Sequence, residues 1–371
     1  MIYHILTANT THHIPDMVRN ILKYSNLTNE GGAEEHFFWL RKNKGDKKGL
    51  SYFYSNLFND ELRHKGYGFI NSNFQLMLLL TKLSKTNKII IHSIQSLFQR
   101  PLLFWFFTHY FLSKSKKKNI RQIMWGLPMS IDKKQKGLIR KELFKTQRKA
   151  MNSLGYIVVL SQDDIHKASQ FYNLKNLIVA NYIRDAYTHY NSIGRSKQQN
   201  KALQIMVAHS AFPHNNHFRT FKDLEIFRDK DLKIICPLSY GKEEYKNEIL
   251  KKGKELFGGK FSPYIKLLPR EEYHKLLASL DIYISHAEMQ TSLYVVNYCI
   301  CTGTKMYLNQ NNYNWMIHQG FKVNHVNELN NISFDELVKP LPNDWVEYNA
   351  GLAKKILSAE ERAKKWRLIY S

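Results

Sequence analysis

Ten short β-rich runs recur along the chain, with helical segments between them. In the first half they are IYHIL (2–6), KIIIH (88–92), IRQIMW (120–125), YIVVLS (156–161) and NLIVA (176–180). In the second half they are LQIMVA (203–208), LKIICP (232–237), YIKLL (264–268), DIYIS (281–285) and KMYL (305–308). Several are apolar almost throughout, as expected of parallel strands covered on both faces. Strand and helix in alternation predict an α/β fold with parallel sheets. At 371 residues the chain is too long for one ordinary domain and comfortable for two. The polar stretch NSIGRSKQQNK (191–201) separates the two series and reads as a linker. The expectation is two Rossmann-like domains, 1–195 and 196–343, facing each other across a cleft. The tail 344–371 has helical spacing and is expected to pack back on the first domain as a helix. No internal repeat or low-complexity tract is evident.

The formal net charge is +24, from 55 Lys and Arg against 31 Asp and Glu, which predicts an anionic partner. Nucleic acid, an acidic membrane face and a phosphorylated ligand all satisfy it. The three cysteines, Cys236, Cys299 and Cys301, show no CxxC or His/Cys metal spacing, so no zinc site is expected. Cysteines this few fit a reducing compartment. The N-terminus MIYHILTANT lacks the pattern of a signal peptide. The aromatic run PLLFWFFTHYFL (101–112) falls short of the roughly 20 residues of a spanning helix. A soluble or peripheral cytosolic protein is expected.

In open α/β sheets ligands bind outside the carboxyl ends of the strands, so the turns there carry the interest. After IMVA comes HSAFPHNNHF (209–218), where a helix is expected to begin near Asn216 or His217. Its free amides and dipole favour an anion. Asn215 or Asn216 can serve as N-cap, and Ser210, the asparagines and His217 can add donors to a phosphate. The same residues also suit an Asx-turn that merely starts a helix. No GxGxxG loop occurs there. The next strand ends in CPLSYG (236–241), where Tyr240 can line a nucleotide pocket and Gly241 can allow close backbone approach. In SHAEMQTSLYVVNYCICTGTKMYL (285–308) the polar residues His286, Glu288, Gln290, Thr291 and Ser292 cluster where a second helix begins, and Gly303 is placed to end it. Two such helix starts in one domain fit a sugar diphosphate better than a neutral ligand.

The set HSAFPHNNH, CPLSYG, the strand after LASLD, and MQTSLYVVNYCICTGTKMYLNQNNYNW resembles the TDP-4-acetamido-4,6-dideoxygalactose:lipid II transferases of enterobacterial common antigen assembly. Order and approximate spacing agree across residues 209–315, and RQIMWGLPMSID (121–132) resembles that family's Trp-Gly strand end. Where the family has Arg-Gln-Gln, this chain has Glu288 or Met289, Gln290 and Thr291; Pro128 stands near the family's Asp. The resemblance implies a GT-B glycosyltransferase acting in cell-envelope polysaccharide assembly. Its donor would be a TDP-sugar of the 4-amino-4,6-dideoxyhexose type. Its acceptor would be a polyprenyl-diphosphate-linked or surface-polysaccharide glycan on the inner face of the cytoplasmic membrane. Phosphates would lie at Ser210 and Asn215–His217, the base near Tyr240, and the sugar and phosphate at Gln290–Ser292, with Gly241 and Glu288 also donor-binding and Asn309 and Trp315 nearby.

For such a transfer the first domain should supply a base for the acceptor hydroxyl. TANTTHHIPDM (7–17) follows the first strand and offers His12, His13 and Asp16, with Asp132 as a further choice. Helix dipoles and donors can neutralise a leaving diphosphate, so no metal or other cofactor is expected; the one Asp-Asp pair, Asp163–Asp164, is read as opening a helix. Between Lys114 and Lys149 stand 13 Lys and Arg against Asp132 and Glu142, next to the aromatic run, which suits an anionic membrane surface or simply a solvated face over a buried core helix. Two alternatives remain: a GT-B enzyme using a UDP- or GDP-sugar with another acceptor, and a basic nucleic-acid-binding protein, for which no recognised motif is present.

Overall fold

A computed structural model describes residues 1–7, 14–28, 35–41, 66–92, 101–124, 138–160, 164–165, 168–169, 175–196 and 202–371. Its contacts divide the chain into two units. The first is Met1–Arg184 with Ala359–Ser371, and the second is Asp185–Ser358.

The first unit is built on a parallel sheet of β1 (Ile2–Thr7), β2 (His36–Arg41), β3 (Tyr67–Ile70), β4 (Lys88–His92), β5 (Ile120–Met124), β6 (Tyr156–Val159) and β7 (Leu177–Val179), in the order β3-β2-β1-β4-β5-β6-β7. The apolar runs of β4 and β6 send neighbouring residues into opposite cores. Ile89, Ile91, Ile157 and Val159 join one cluster with Leu76, Phe104 and Met151 of the helices Asn73–Leu83, Pro101–Phe111 and Leu138–Ser153. Ile90 and Val158 join another with Trp366 and Ile369 of the helix Ala359–Tyr370. Burial on both faces is why these strands lack a polar stripe.

Strands β2 and β3 were not expected from the sequence. Gly68 gives β3 room for the Trp39 ring of β2. A Cβ there would lie 2.5 Å from the Trp39 ring, and one at Gly66 would lie 2.3 Å from Phe37. The two β2 aromatics lie across the glycines of their neighbour, which replaces the missing side-chain packing.

The second face of this sheet buries polar groups in pairs. His4 Nδ1 lies 3.0 Å from His92 Nε2, and its Nε2 lies 2.9 Å from His36 Nδ1. His92 Nδ1 lies 2.8 Å from the Tyr182 hydroxyl. Burial pushes the His92 pKa down to about 3, and burial with its two histidine neighbours pushes His4 well below the ordinary range. Arg121 is buried in β5. Its Nε donates to the Ile369 carbonyl at 2.7 Å and its Nη1 to the Lys118 carbonyl at 2.7 Å. A cation at the carboxyl end of the helix Ala359–Tyr370 also opposes that helix's dipole.

The second unit holds β8 (Leu203–Val207), β9 (Leu232–Pro237), β10 (Phe261–Tyr264), β11 (Ile282–Ser285), β12 (Lys305–Leu308) and β13 (Asn324–His325), all parallel, in the order β10-β9-β8-β11-β12-β13. The strand expected at 264–268 lies earlier, with Phe261 paired to Ile234, and Leu267 sits in an exposed loop. Strand order reverses at β8 and β11, so the crevice beyond their carboxyl ends is this unit's topological switch point.

The unit begins before the expected linker. Residues 191–193 close the helix Ala186–Ile193, which is N-capped by Asp185. Its Tyr190 is buried with Val295 and Val296 of the helix Leu293–Thr302, and this packing draws the helix into the second unit. The tail is also two helices and not one. Asn343–Ile356 belongs to the second unit, and Ala359–Tyr370 belongs to the first. Among the described residues no helix is long and apolar enough to cross a membrane.

Candidate functional site

The carboxyl end of β8 turns sharply at Ala208, which has φ 54°. His209 follows, then buried Ser210, then a 3-10 turn Pro213–Asn215, and the helix His217–Glu225 begins. The turn closes on its own polar groups. Asn215 Nδ2 donates to the Ser210 carbonyl at 2.7 Å and to its hydroxyl at 2.9 Å. Asn216 takes the left-handed conformation, φ 52° and ψ 48°, and makes no side-chain cap; Asn215 makes none either. Their expected N-cap role is therefore replaced. Asn215 is spent on Ser210, and Asn216 supplies a backbone bend that asparagine tolerates better than most residues.

The carboxyl end of β11 leads through His286, Glu288, Gln290 and Thr291 to Ser292, also left-handed at φ 60°, where the helix Leu293–Thr302 starts. Gly303 ends that helix at φ 68°. Asparagines after β12 brace this turn. Asn309 Nδ2 donates to the carbonyls of His286 (3.3 Å) and Ala287 (3.4 Å), and Asn311 Nδ2 to that of Glu288. Buried Asn312 accepts from the Thr291 amide at 3.3 Å and donates to the Thr291 carbonyl at 3.1 Å. Asn311 and Asn312 were not singled out from sequence; the density of asparagine in LNQNNYN (308–314) was the available signal.

The two turns meet. His209 Nδ1 lies 2.5 Å from the Ser292 hydroxyl, and Nε2 lies 3.2 Å from the Thr291 hydroxyl and 3.3 Å from that of Ser210. The Glu288 amide donates to the His214 carbonyl at 2.8 Å. Buried His286 Nε2 lies 2.6 Å from Asp223, which ties the second turn to the first helix. His209 was passed over in the sequence, although it stands beside the switch point. Ala208, Asn216 and Ser292 are the non-glycine residues of positive φ among the described residues, and all three sit at these turns. Strain gathered in one place is a mark of a functional site.

Burial keeps the three imidazoles of the first turn neutral. His209 is pushed down to about 4, first by burial and then by His214. His217, fully buried, is pushed to about 3 by burial and then by His209 and His214. Neither His217 ring nitrogen has a partner among the described residues, while its backbone amide donates to the Tyr245 hydroxyl at 3.2 Å. Neutral, these rings add no positive charge to the turns; the first-turn amides of the two helices lack carbonyl partners within their own helix.

The third turn follows β9. Gly241 has φ 137°, and a Cβ there would lie 2.3 Å from the Ala211 carbonyl oxygen. Its close approach is to protein backbone. The Ala211 amide donates to the Tyr240 carbonyl and the Lys242 amide to the Ala211 carbonyl, each at 2.8 Å. Tyr240 is 51% exposed, edge-on to His209 at 6.1 Å between ring centroids. Ser210, Asn215, Asn216, His217, Tyr240, Gly241, Glu288, Gln290, Thr291, Ser292 and Asn309 thus all fall on three adjoining turns or their brace. Ser210, Asn215 and His217 are buried and shape the crevice, whereas Tyr240 and Glu288 are exposed and Gln290 and Thr291 half-buried. In the first unit His12, His13, Asp132 and Asp163 lie outside the described residues. Asp16 is in the helix Ile14–Lys23, where it accepts from Arg19 Nη1 at 3.2 Å. Among the described residues no group of three His, Cys, Asp or Glu is placed to hold a metal ion.

No protein-family model matches this sequence, and no curated protein does. Solved structures match nearly the whole chain. The trehalose-6-phosphate phosphatase N-terminal domain of Candida albicans is 12% identical over 98% of this chain and 94% of its own, with a TM-score of 0.59. Anabaena HepE in complex with UDP is 10% identical over 99% and 96%, with a TM-score of 0.58. WaaG, a glycosyltransferase involved in lipopolysaccharide biosynthesis, is 10% identical over 100% of both chains, with a TM-score of 0.54. Likeness at this level of identity defines a fold. The chain has the GT-B fold, two Rossmann-like parallel-sheet units with a final helix returned to the first.

Proposed function

We propose that the chain is a glycosyltransferase that takes its sugar from a nucleotide diphosphate donor bound on the second unit. The observation that carries this reading is the join at His209, which holds the starts of the helices His217–Glu225 and Leu293–Thr302 to one crevice at the switch point. Two helix N-termini aimed at one place favour a diphosphate over any neutral ligand and stabilise the charge that develops as it leaves. In the transfer the acceptor hydroxyl oxygen bonds the anomeric carbon, the bond from that carbon to the diphosphate breaks, and the hydroxyl proton passes to a base. His12, His13 and Asp16 are the proposed bases, Asp16 accepting from Arg19 Nη1 at 3.2 Å.

The finer reading takes a TDP-linked 4-amino-4,6-dideoxyhexose and a polyprenyl-diphosphate-linked glycan at the inner face of the cytoplasmic membrane. Its support is the likeness of residues 209–315 to the transferases named above. A UDP-sugar donor is the second reading, supported by the shared fold of a structure that holds UDP. Thermal shift with TDP, UDP and GDP separates them. A ligand at 100 times its Kd raises stability by about 2.7 kcal/mol. The preferred nucleotide should raise the melting point of the wild type and much less that of His209→Ala. If none of the three shifts the wild type, the transfer reading fails.

A further inference from the structure

We infer that His286 donates from Nδ1 to the outer, leaving phosphate of the donor, and that Asp223 is the positioning residue that aims its ring. The inference rests on the donor reading above and adds a residue to it. His286 is the first residue beyond β11, at the carboxyl end where the crevice opens, and is 6% exposed. Its Nε2 lies 2.6 Å from Asp223 Oδ2. A carboxylate only accepts, so Nε2 carries a hydrogen and Nδ1 is the nitrogen left to act. The Asp223 side chain is 5% exposed, and its other oxygen lies 3.5 Å from Arg219 Nε. Both carboxylate oxygens are thus engaged, which fixes the plane in which the imidazole is held. Asn309 Nδ2 fixes the backbone from the other side, donating to the His286 carbonyl at 3.3 Å.

Nδ1 of His286 has no partner among the described residues, yet it is not sealed from solvent. The neighbouring imidazoles differ in this respect. Both nitrogens of His209 meet hydroxyls, those of Ser210, Thr291 and Ser292. Both nitrogens of His217 are sealed without a partner. Burial also holds those two rings neutral, with values near 4 and 3. His286 is therefore the buried ring at these turns with a nitrogen open to a ligand. A ring that carries hydrogens on both nitrogens gives one to Asp223 and presents the other to an anion. A ring oriented by a carboxylate, with its second nitrogen free, is pre-organised for a reacting group. Beside a departing diphosphate it meets the oxygen on which negative charge develops.

The test is isothermal titration of the full chain with a nucleoside diphosphate and with the monophosphate of the same nucleoside. The probe is whichever of TDP, UDP and GDP binds the wild type. His286→Ala should weaken the diphosphate about tenfold and the monophosphate less than twofold. His286→Gln, which keeps an amide for Asp223, should show the same split. Asp223→Asn should weaken the diphosphate by a smaller factor, since the ring remains but is less firmly aimed. In the wild type the diphosphate should move the His286 Nδ1 nitrogen resonance and the monophosphate should not, a readout that needs no variant to fold. Equal losses for the two ligands, full diphosphate affinity in both His286 variants, or an Nδ1 resonance that the diphosphate leaves in place would overturn the inference while the donor reading stands. Failure of all three nucleotides to bind the wild type would overturn both.

Discussion

Asn216 and Ser292 each hold a backbone conformation that costs an ordinary residue about 1–2 kcal/mol. Asn216→Gly should therefore leave stability unchanged or raise it by up to about 1 kcal/mol in urea denaturation, and Asn216→Val should lower it. Ser292→Gly relieves the same strain but removes the hydroxyl that meets His209. It should keep the fold and weaken nucleotide binding, which isothermal titration reads directly. Gly241→Ala meets both a positive φ and the Ala211 carbonyl, so it should cost on the order of 1–3 kcal/mol. The polar knot at 209–217 was legible as a place of interest, but the division of labour within it was not. A sequence shows that Asn215 and Asn216 adjoin a helix start. It does not show that one is folded inward onto Ser210 while the other bends the chain.

At the scale of elements, runs of β-branched and aliphatic residues such as KIIIH and LQIMVA were legible because parallel strands need both faces apolar. HFFWLR and YGFI were not. Their pairing depends on Phe37 and Trp39 covering Gly66 and Gly68 across two strands distant in sequence, and no local propensity reports that. The turn before Leu293–Thr302 is likewise set from outside, by asparagines beyond β12. Asn312 is buried with its amide oxygen and nitrogen both bound to the Thr291 backbone. Asn312→Ala should cost roughly 1–3 kcal/mol by chemical denaturation, since it strands an amide and a carbonyl. The same variant should weaken nucleotide binding through the displaced Thr291, whereas Asn314→Ala, outside this brace, should not.

Across the whole molecule, acid sensitivity follows from the buried neutral histidines. His4 and His92 in the first unit and His209 and His217 in the second all have folded-state pKa values below the ordinary 6.5. Above pH about 6.5 they are neutral both folded and unfolded and leave stability unaffected. As pH falls below that value the unfolded chain takes up protons first, so stability declines, by at most about 1.4 kcal/mol per pH unit for each histidine. The loss should continue down to the folded values, about 4 for His209 and about 3 for His92 and His217. Urea midpoints measured from pH 7.5 to 4 check this, and His92→Gln should flatten the curve.

Ile2, Ile90, Ile123 and Val158 are covered by Trp366 and Ile369, and Arg121 is satisfied by the Ile369 carbonyl. Deleting 359–371 should make the first unit susceptible to protease while 185–358 stays resistant, as mass spectrometry of the fragments would show. During synthesis the same feature inverts the usual order of maturation. The second unit is one continuous stretch, complete once Ser358 has cleared the ribosome exit. The first begins to emerge earlier but lacks its covering helix until Ala359–Tyr370 has been translated.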